Sequence, residues 1–362
     1  MNVGSPLRES VRLDEAAIRA LPKAEVHVHL EGTIELADLM ELSKAAGVPL
    51  PGPARSLLDV GSHFPPPAAA LSASATAAGG LSSFLRFLDW ECGLVRTPEQ
   101  AARLAYRFAA RESSSGIRYA DVIVNPTHWG PWRDRLPALF DALAGGLAEA
   151  ERDGLATVNL CVSLLRQQTA QEAAELAEWI LRDRPERVVA LSIDGNETAA
   201  GRTGARFAEA FTLARDGGLH RTVHAGESSG PEGVWDAIRF LHAERIDHGV
   251  RSIEDPELVA YLADSEISLN VCPRSNLVLG LYPELGEHPL AALRTAGVRV
   301  TINTDDPAPI GSRLESEWAS CAAAFGWDMA DMRDFARASI FACFAPEELK
   351  AVLRAELSQQ AS

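Results

Sequence analysis

Short apolar runs of strand length recur along the chain, each followed by a stretch with helical spacing. The runs begin near Ala24 (AEVHVHL), Ile117 (IRYADVIVN), Thr157 (TVNLCVSLL), Val188 (VVALSID), His220 (HRTVHAGE), Arg245 (RIDHG), Ile267 (ISLNVC) and Val298 (VRVTINT). From the second onward, successive starts lie 40, 31, 32, 25, 22 and 31 residues apart, the length of a βα unit. Between them, stretches such as AQEAAELAEWILRD, FAEAFTLARD and DPELVAYLAD carry apolar residues every three or four positions. Eight strands alternating with helices predict a closed (β/α)8 barrel with extra helices, in preference to an open sheet. No second domain and no repeat beyond this rhythm is visible, so residues 1–362 are expected to form a single domain. The first unit is overlong. Within it, residues 51–80 are rich in Pro, Ala, Ser and Gly, which predicts a flap or lid inserted after the first strand. Phe84, Leu85, Phe87 and Leu88 then begin an apolar helix that either closes over a site or packs on the barrel.

Composition narrows the field. With 47% hydrophobic and 23% charged residues, the 362-residue chain can bury a sizeable core. No apolar run reaches the roughly 18 residues needed to span a bilayer. The 34 basic and 50 acidic residues give a net charge of −16; such a surface repels phosphate backbones and anionic lipid heads, so neither a nucleic acid nor a membrane is an expected partner. Five widely spaced cysteines without a C-x-x-C pair suit a reducing compartment. No signal peptide is visible at the start, and the expected location is the cytoplasm.

The candidate chemistry gathers at the ends of the predicted strands. His27 and His29 alternate onto one face of the first strand and point into the barrel; two imidazoles there suit a divalent metal, or are simply buried neutral histidines. His224 and Glu227 end the fifth run and offer a third metal ligand and a general acid/base. His248 ends the sixth and could orient or deprotonate a metal-bound water, or cap the next helix; Asp247 before it faces the other way, toward a supporting role. Asp305 and Asp306 end the eighth, one placed to ligate a metal and the other to meet substrate; alternatively they cap a helix begun by Pro307. Three imidazoles and one carboxylate match Zn²⁺. The fourth run ends Ser192-Ile193-Asp194-Gly195 without a lysine that could bridge two ions, so one zinc per chain is expected.

These residues resemble the adenosine deaminase family of the amidohydrolase superfamily. The matching stretches are LPKAEVHVHLEG (Leu21 to Gly32), IDGNE (Ile193 to Glu197), HRTVHAGE (His220 to Glu227), RIDHG (Arg245 to Gly249), NVCPRSN (Asn270 to Asn276) and NTDDP (Asn303 to Pro307), in family order. The resemblance implies that His27, His29, His224 and Asp305 hold Zn²⁺, with Asp305 also in the catalytic group. It implies that Glu227 protonates the purine N1 and that His248 orients the attacking oxygen and stabilises its charge. Asp306 would bond N7, the Gly195 N–H would meet N3, and His29 and Glu31 would complete the substrate site. Two features pull apart. Glu31 stands where the family's adenosine enzymes have an aspartate for the ribose 5′-hydroxyl, and Asp247 stands where they tend to have glycine; both look like adenine deaminases. Gly195-Asn196-Glu197 looks like the nucleoside enzymes. The expected activity is zinc-dependent deamination of a 6-aminopurine nucleoside, adenosine first. The alternatives are adenine, a 5′-modified nucleoside of the aminodeoxyfutalosine kind, or a catalytically silent purine-binding barrel. The H-x-E…P-C-x-x-C signature of nucleic-acid deaminases is absent.

Overall fold

The structure, a computed structural model, describes residues 13–52, 56–64 and 76–360. Eight parallel strands form one sheet in sequence order: β1 (Lys23–His29), β2 (Ile117–Val124), β3 (Thr157–Leu165), β4 (Val188–Asp194), β5 (His220–Ala225), β6 (Arg245–His248), β7 (Ser268–Val271) and β8 (Val300–Ile302). Seven starts fall within one residue of those expected from the apolar runs; β8 begins two residues later than its run. Strands buried on both faces read as near-continuous apolar segments, which is why the runs could be found at all. The barrel closes just beyond β8, where the N–H of His29 donates to the carbonyl of Asp305 at 2.8 Å and the Asp305 N–H donates to that of His27 at 3.2 Å. The expected (β/α)8 barrel is the architecture observed.

The three quoted helical stretches fold as helices: Ala170–Asp183, Gly204–Asp216 and Pro256–Asp264. In the first, Thr169 and Glu172 form a reciprocal capping box while Ala173, Ala177 and Ile180 bury one stripe against the barrel. The long first unit holds helices Leu36–Ala46, Leu57–Gly61, Thr76–Cys92 and Pro98–Ser114. Of the expected 51–80 flap, residues 53–55 and 65–75 lie outside the described residues. Among the described residues, no helix is long and apolar enough to cross a membrane. All five cysteines are buried and unpaired.

One irregularity prepares the site. β4 and β5 pair only near their starts, at Ala190 with His220 and Leu191 with Arg221. Their ends therefore diverge toward the mouth. Arg166, 4% exposed, spans this gap: its guanidinium donates to the His224 carbonyl and, at 2.7 Å, to Thr203 Oγ1.

Candidate active site

The C-terminal mouth of the barrel brings together the residues that sequence placed at strand ends. His27 Nε2 and His29 Nε2 each lie 3.1 Å from His224 Nε2. Asp305 Oδ1 is 3.2 Å from the first and 3.4 Å from the second. Separations of this size are those between the vertices of a tetrahedron whose corners stand about 2 Å from its centre, the Zn–N distance. The proton inventory agrees. His27 Nδ1 is 2.8 Å from the Asn270 carbonyl, which accepts only, so Nδ1 carries a proton and Nε2 is the atom left for a metal. Burial opposes charge on His27, but Asp247 and Asp305 push its imidazole up to about 9, so a metal would take the place of the Nε2 proton. His224 is held well below the ordinary histidine range by burial and by its neighbours His27 and His29. Its Nδ1 faces Asp247 Oδ2 at 3.4 Å, the kind of carboxylate that orients a metal-binding imidazole. Burial opposes ionisation of Asp305, but the imidazoles of His248 and His27 keep its carboxyl well below the usual range. Three imidazole nitrogens and a carboxylate oxygen crowd one point, and a single cation is what satisfies all four together. The four residues fit a metal ion.

Asp305 reaches this position through strained backbone. It and His248 both have φ of 65°, a left-handed conformation that costs a non-glycine residue about 1–3 kcal/mol. At both positions the strand rule of alternation is broken, and both side chains turn into the mouth. Ser275 Oγ donates to Asp305 Oδ2 at 2.6 Å, leaving Oδ1 for the imidazoles. Asp247 has the supporting role expected of it but not the direction: in register with His224, it turns into the barrel and accepts from Thr222 Oγ1 at 2.7 Å and Asn270 Nδ2 at 2.8 Å.

Beside the cluster opens a cavity lined on its polar side by His29, His128, Asp194, Gly195, Glu227, His248 and Asp306. Glu227 is pushed up to about 8, by burial first and then by Asp305 and Glu197, so its carboxyl holds a proton near neutrality. Its Oε1 is 3.5 Å from His248 Nε2. Burial brings His248 down to about 3, an imidazole that stays neutral. Asp306 is raised well above the carboxylate range by burial, Asp305 and Glu31, and its Oδ1 has no partner. The capping alternative is half right: Pro307 does start a helix after Asp306, but the Asp306 side chain makes no capping bond. Gly195, at φ 98°, lines the cavity where a side chain would sit 3.0 Å from Leu165. Opposite lies an apolar wall of Leu81, Phe84, Leu85 and Leu88. Of the two expectations for this helix, the one that puts it over a site fits these lining residues, while Phe87 turns away to pack near Phe64 and Trp90.

One expectation meets a different arrangement. Glu31 is not among the lining residues; its Oε1 accepts from Trp129 Nε1 at 2.6 Å and the Asn125 N–H at 2.8 Å. Its Oε2 is buried without a hydrogen bond among the described residues. Glu197 faces no cavity either. Its carboxylate accepts the backbone N–H groups of Gly226, Glu227, Ser228 and Ser229 at 2.9–3.3 Å, fixing the loop that carries Glu227. Asn196 caps the short helix Glu197–Ala200. Sequence reasoning missed the loop-fixing role of Glu197, along with Arg166, Ser275 and Trp129; only the density of buried polar residues around the motifs could have signalled them.

The family described as adenosine deaminase matches residues 22–360. An adenine deaminase of Cupriavidus necator is 34% identical over 340 residues, covering 94% of this chain and 92% of its own. An adenosine deaminase of Edwardsiella ictaluri is 35% identical over 335 residues, covering 92% and 96%. Among solved structures, an adenine deaminase of Arthrobacter aurescens superposes with a TM-score of 0.85 at 27% identity, covering 94% of this chain and 99% of its own. An amidohydrolase of Burkholderia ambifaria with bound Zn superposes at 0.83 and 26%, covering 99% and 94%. The chain belongs to the adenosine deaminase family, hydrolytic deaminases of the amidohydrolase fold.

Proposed function

We propose that the protein is a zinc-dependent adenine deaminase, converting adenine and water to hypoxanthine and ammonia. His27, His29, His224 and Asp305 would hold one Zn²⁺. Bound there, it would supply a Lewis acid that lowers the pKa of a water to about 7. The remaining work falls to the chain's own groups. Glu227, protonated, donates to ring nitrogen N1 and makes C6 electrophilic. Asp306, also protonated, donates to N7, and the Gly195 N–H meets N3. His248 stands over the oxygen that adds to C6, and ammonia leaves from the tetrahedral centre. Fixed donors of this kind are each worth about 3 kcal/mol of barrier.

The base is preferred over the nucleoside because of Glu31. Its one hydrogen-bonded oxygen is held by Trp129 and Asn125, outside the cavity. The nucleoside-like Asn196 and Glu197 are likewise occupied with local structure. The wall opposite the polar side is Leu81, Phe84, Leu85 and Leu88, which offers a sugar no hydrogen bond. The adenosine reading draws on the Gly195-Asn196-Glu197 signature and on the Edwardsiella ictaluri relative. The test is ammonia release by purified, zinc-loaded protein from adenine, adenosine, deoxyadenosine and 5′-modified adenosines, each alone. Adenine is expected to give the highest kcat/KM by at least 10²-fold; a nucleoside above adenine would overturn the choice of substrate.

A further inference from the structure

The Asn270–Asn276 stretch supplies no group to the chemistry above, yet it touches His27, Asp247, Asp305 and His248. The first three contacts are those given for Asn270 and Ser275. The fourth belongs to a longer chain of fixed polarity. The backbone N–H of Leu290 can only donate, and it donates to His288 Nδ1 at 3.1 Å. That nitrogen is therefore bare, and in a neutral ring the proton sits on Nε2. His288 Nε2–H donates to Asn276 Oδ1 at 3.0 Å, which fixes the orientation of the amide. Asn276 Nδ2 then points at His248 Nδ1, 3.5 Å away, a long contact of the sort that tightens on substrate binding. A donor facing Nδ1 leaves that atom its lone pair and places the ring proton of His248 on Nε2. Nε2 looks into the mouth, 3.5 Å from Glu227 Oε1 and 3.8 Å from Asp305 Oδ2. His288 is 3% exposed and Asn276 fully buried, and neither lines the cavity.

We propose that His288, acting through Asn276, holds His248 as its Nε2–H tautomer, so that His248 enters the reaction as a hydrogen-bond donor to the attacking oxygen and not as the base that deprotonates it. His288 and Asn276 are positioning residues. The consequence for rate rests on the deaminase reading; the tautomer does not.

The test is ¹⁵N spectroscopy of the full-length, zinc-loaded protein labelled at histidine, with the ring signals of His248 identified by their loss in His248→Gln. Wild type should show His248 protonated at Nε2 and bare at Nδ1. Asn276→Asp presents only acceptors: His288 keeps its bond, but His248 must now protonate Nδ1. That variant should show the reversed pattern, with zinc still about one per chain, KM within a few-fold of wild type and kcat down about 10²-fold or more. His288→Phe frees the amide to turn and should give a mixture of tautomers with kcat lowered about tenfold. A wild-type His248 protonated at Nδ1, or a pattern unchanged in Asn276→Asp, would overturn the proposal. Should Asn276→Asp not fold, the wild-type and His288→Phe spectra decide it alone. Failure of the deaminase reading looks different: no purine releases ammonia while the Nε2–H pattern is present.

Discussion

The two ends of the barrel bury charge in opposite ways, and the short strand β6 belongs to both. At its start Arg245 is 1% exposed and its surroundings answer it fully. Nη1 donates to Asp121 Oδ2 at 2.7 Å and to the Ala342 carbonyl at 3.1 Å, Nε donates to Thr222 Oγ1 at 3.1 Å, and the guanidinium lies 3.8 Å over the Phe344 ring. Asp121 also takes the Tyr119 hydroxyl at 2.7 Å and the Phe344 N–H at 2.8 Å. Three residues on, at the mouth, His248 faces groups that do not satisfy one another. Among the described residues, His224 Nδ1, Asp194 Oδ2 and Asp306 Oδ1 are buried without a hydrogen bond, and three imidazole nitrogens crowd one carboxylate oxygen. Orphaned buried polar atoms are expensive, typically 1–3 kcal/mol each. Single orphans occur elsewhere in the fold, but here they gather on one cavity beside the crowded imidazoles, where something from outside can complete them. The closed network at the base is structure; the open one at the mouth is a site.

The largest effect should come from leaving the mouth open. Stripping the metal with a chelator is expected to remove all measurable ammonia release, and one equivalent of Zn²⁺ to restore it, checked by metal analysis beside the rate. Full activity in metal-free protein would mean that the crowded nitrogens need no cation. Next is Glu227→Gln, which preserves shape but cannot deliver the proton. The expected fall in kcat is about 10²–10⁴-fold, with zinc content unchanged. A variant that turns over like wild type would remove the acid role from Glu227.

The same contrast explains what could be read from the chain. The barrel was legible because strands buried on both faces must be apolar, and because βα units impose a spacing. That His27, His29, His224, Glu227, His248, Asp305 and Asp306 would converge at one mouth was legible because the chemistry of a barrel sits at strand ends. What escaped was any arrangement carried by backbone donors or by non-alternating backbone. Glu197 works through four backbone N–H groups of the 226–229 loop, which no side-chain pattern encodes. His248 and Asp305 were placed at the mouth, but the φ of 65° by which each arrives there is not something alternation anticipates. Glu31 differs from an aspartate by one methylene, and only the position of Trp129 reveals what that does. Arg245 stood in plain view within RIDHG, yet its partners come from residues 121, 222, 342 and 344.

Arg245→Met tests the closed network. It removes the countercharge from Asp121, itself 0% exposed, and breaking such a pair costs about 3–5 kcal/mol. The expected result is a lower midpoint in urea, while kcat per folded molecule stays within a few-fold of wild type. A collapse of activity without loss of stability would show that the base also serves the chemistry.

The smallest effect concerns a cation at the base whose answer is incomplete. Lys23, at the start of β1, donates to the carbonyls of Ile18 and Leu21 at 3.2 Å and of Arg19 at 3.4 Å, but touches no carboxylate directly. Burial brings its ammonium down from 10.5 to about 8, against the pull of Glu315 and Glu25. The folded pKa thus lies below the unfolded one, so between about pH 8 and 10.5 the unfolded chain holds the extra proton and stability rises with pH. Below pH 8 the ammonium is charged in both states and its burial cost is fully present. At about 1.4 kcal/mol per unit, the span is worth up to about 3 kcal/mol. Lys23→Met removes the titrating group and leaves every other one in place. The difference in unfolding free energy between wild type and variant, followed by urea titration from pH 7 to 10.5, should therefore move in favour of wild type as pH rises. Parallel curves would mean that the three carbonyls already satisfy the ammonium, and that the base buries this charge as completely as it does that of Arg245.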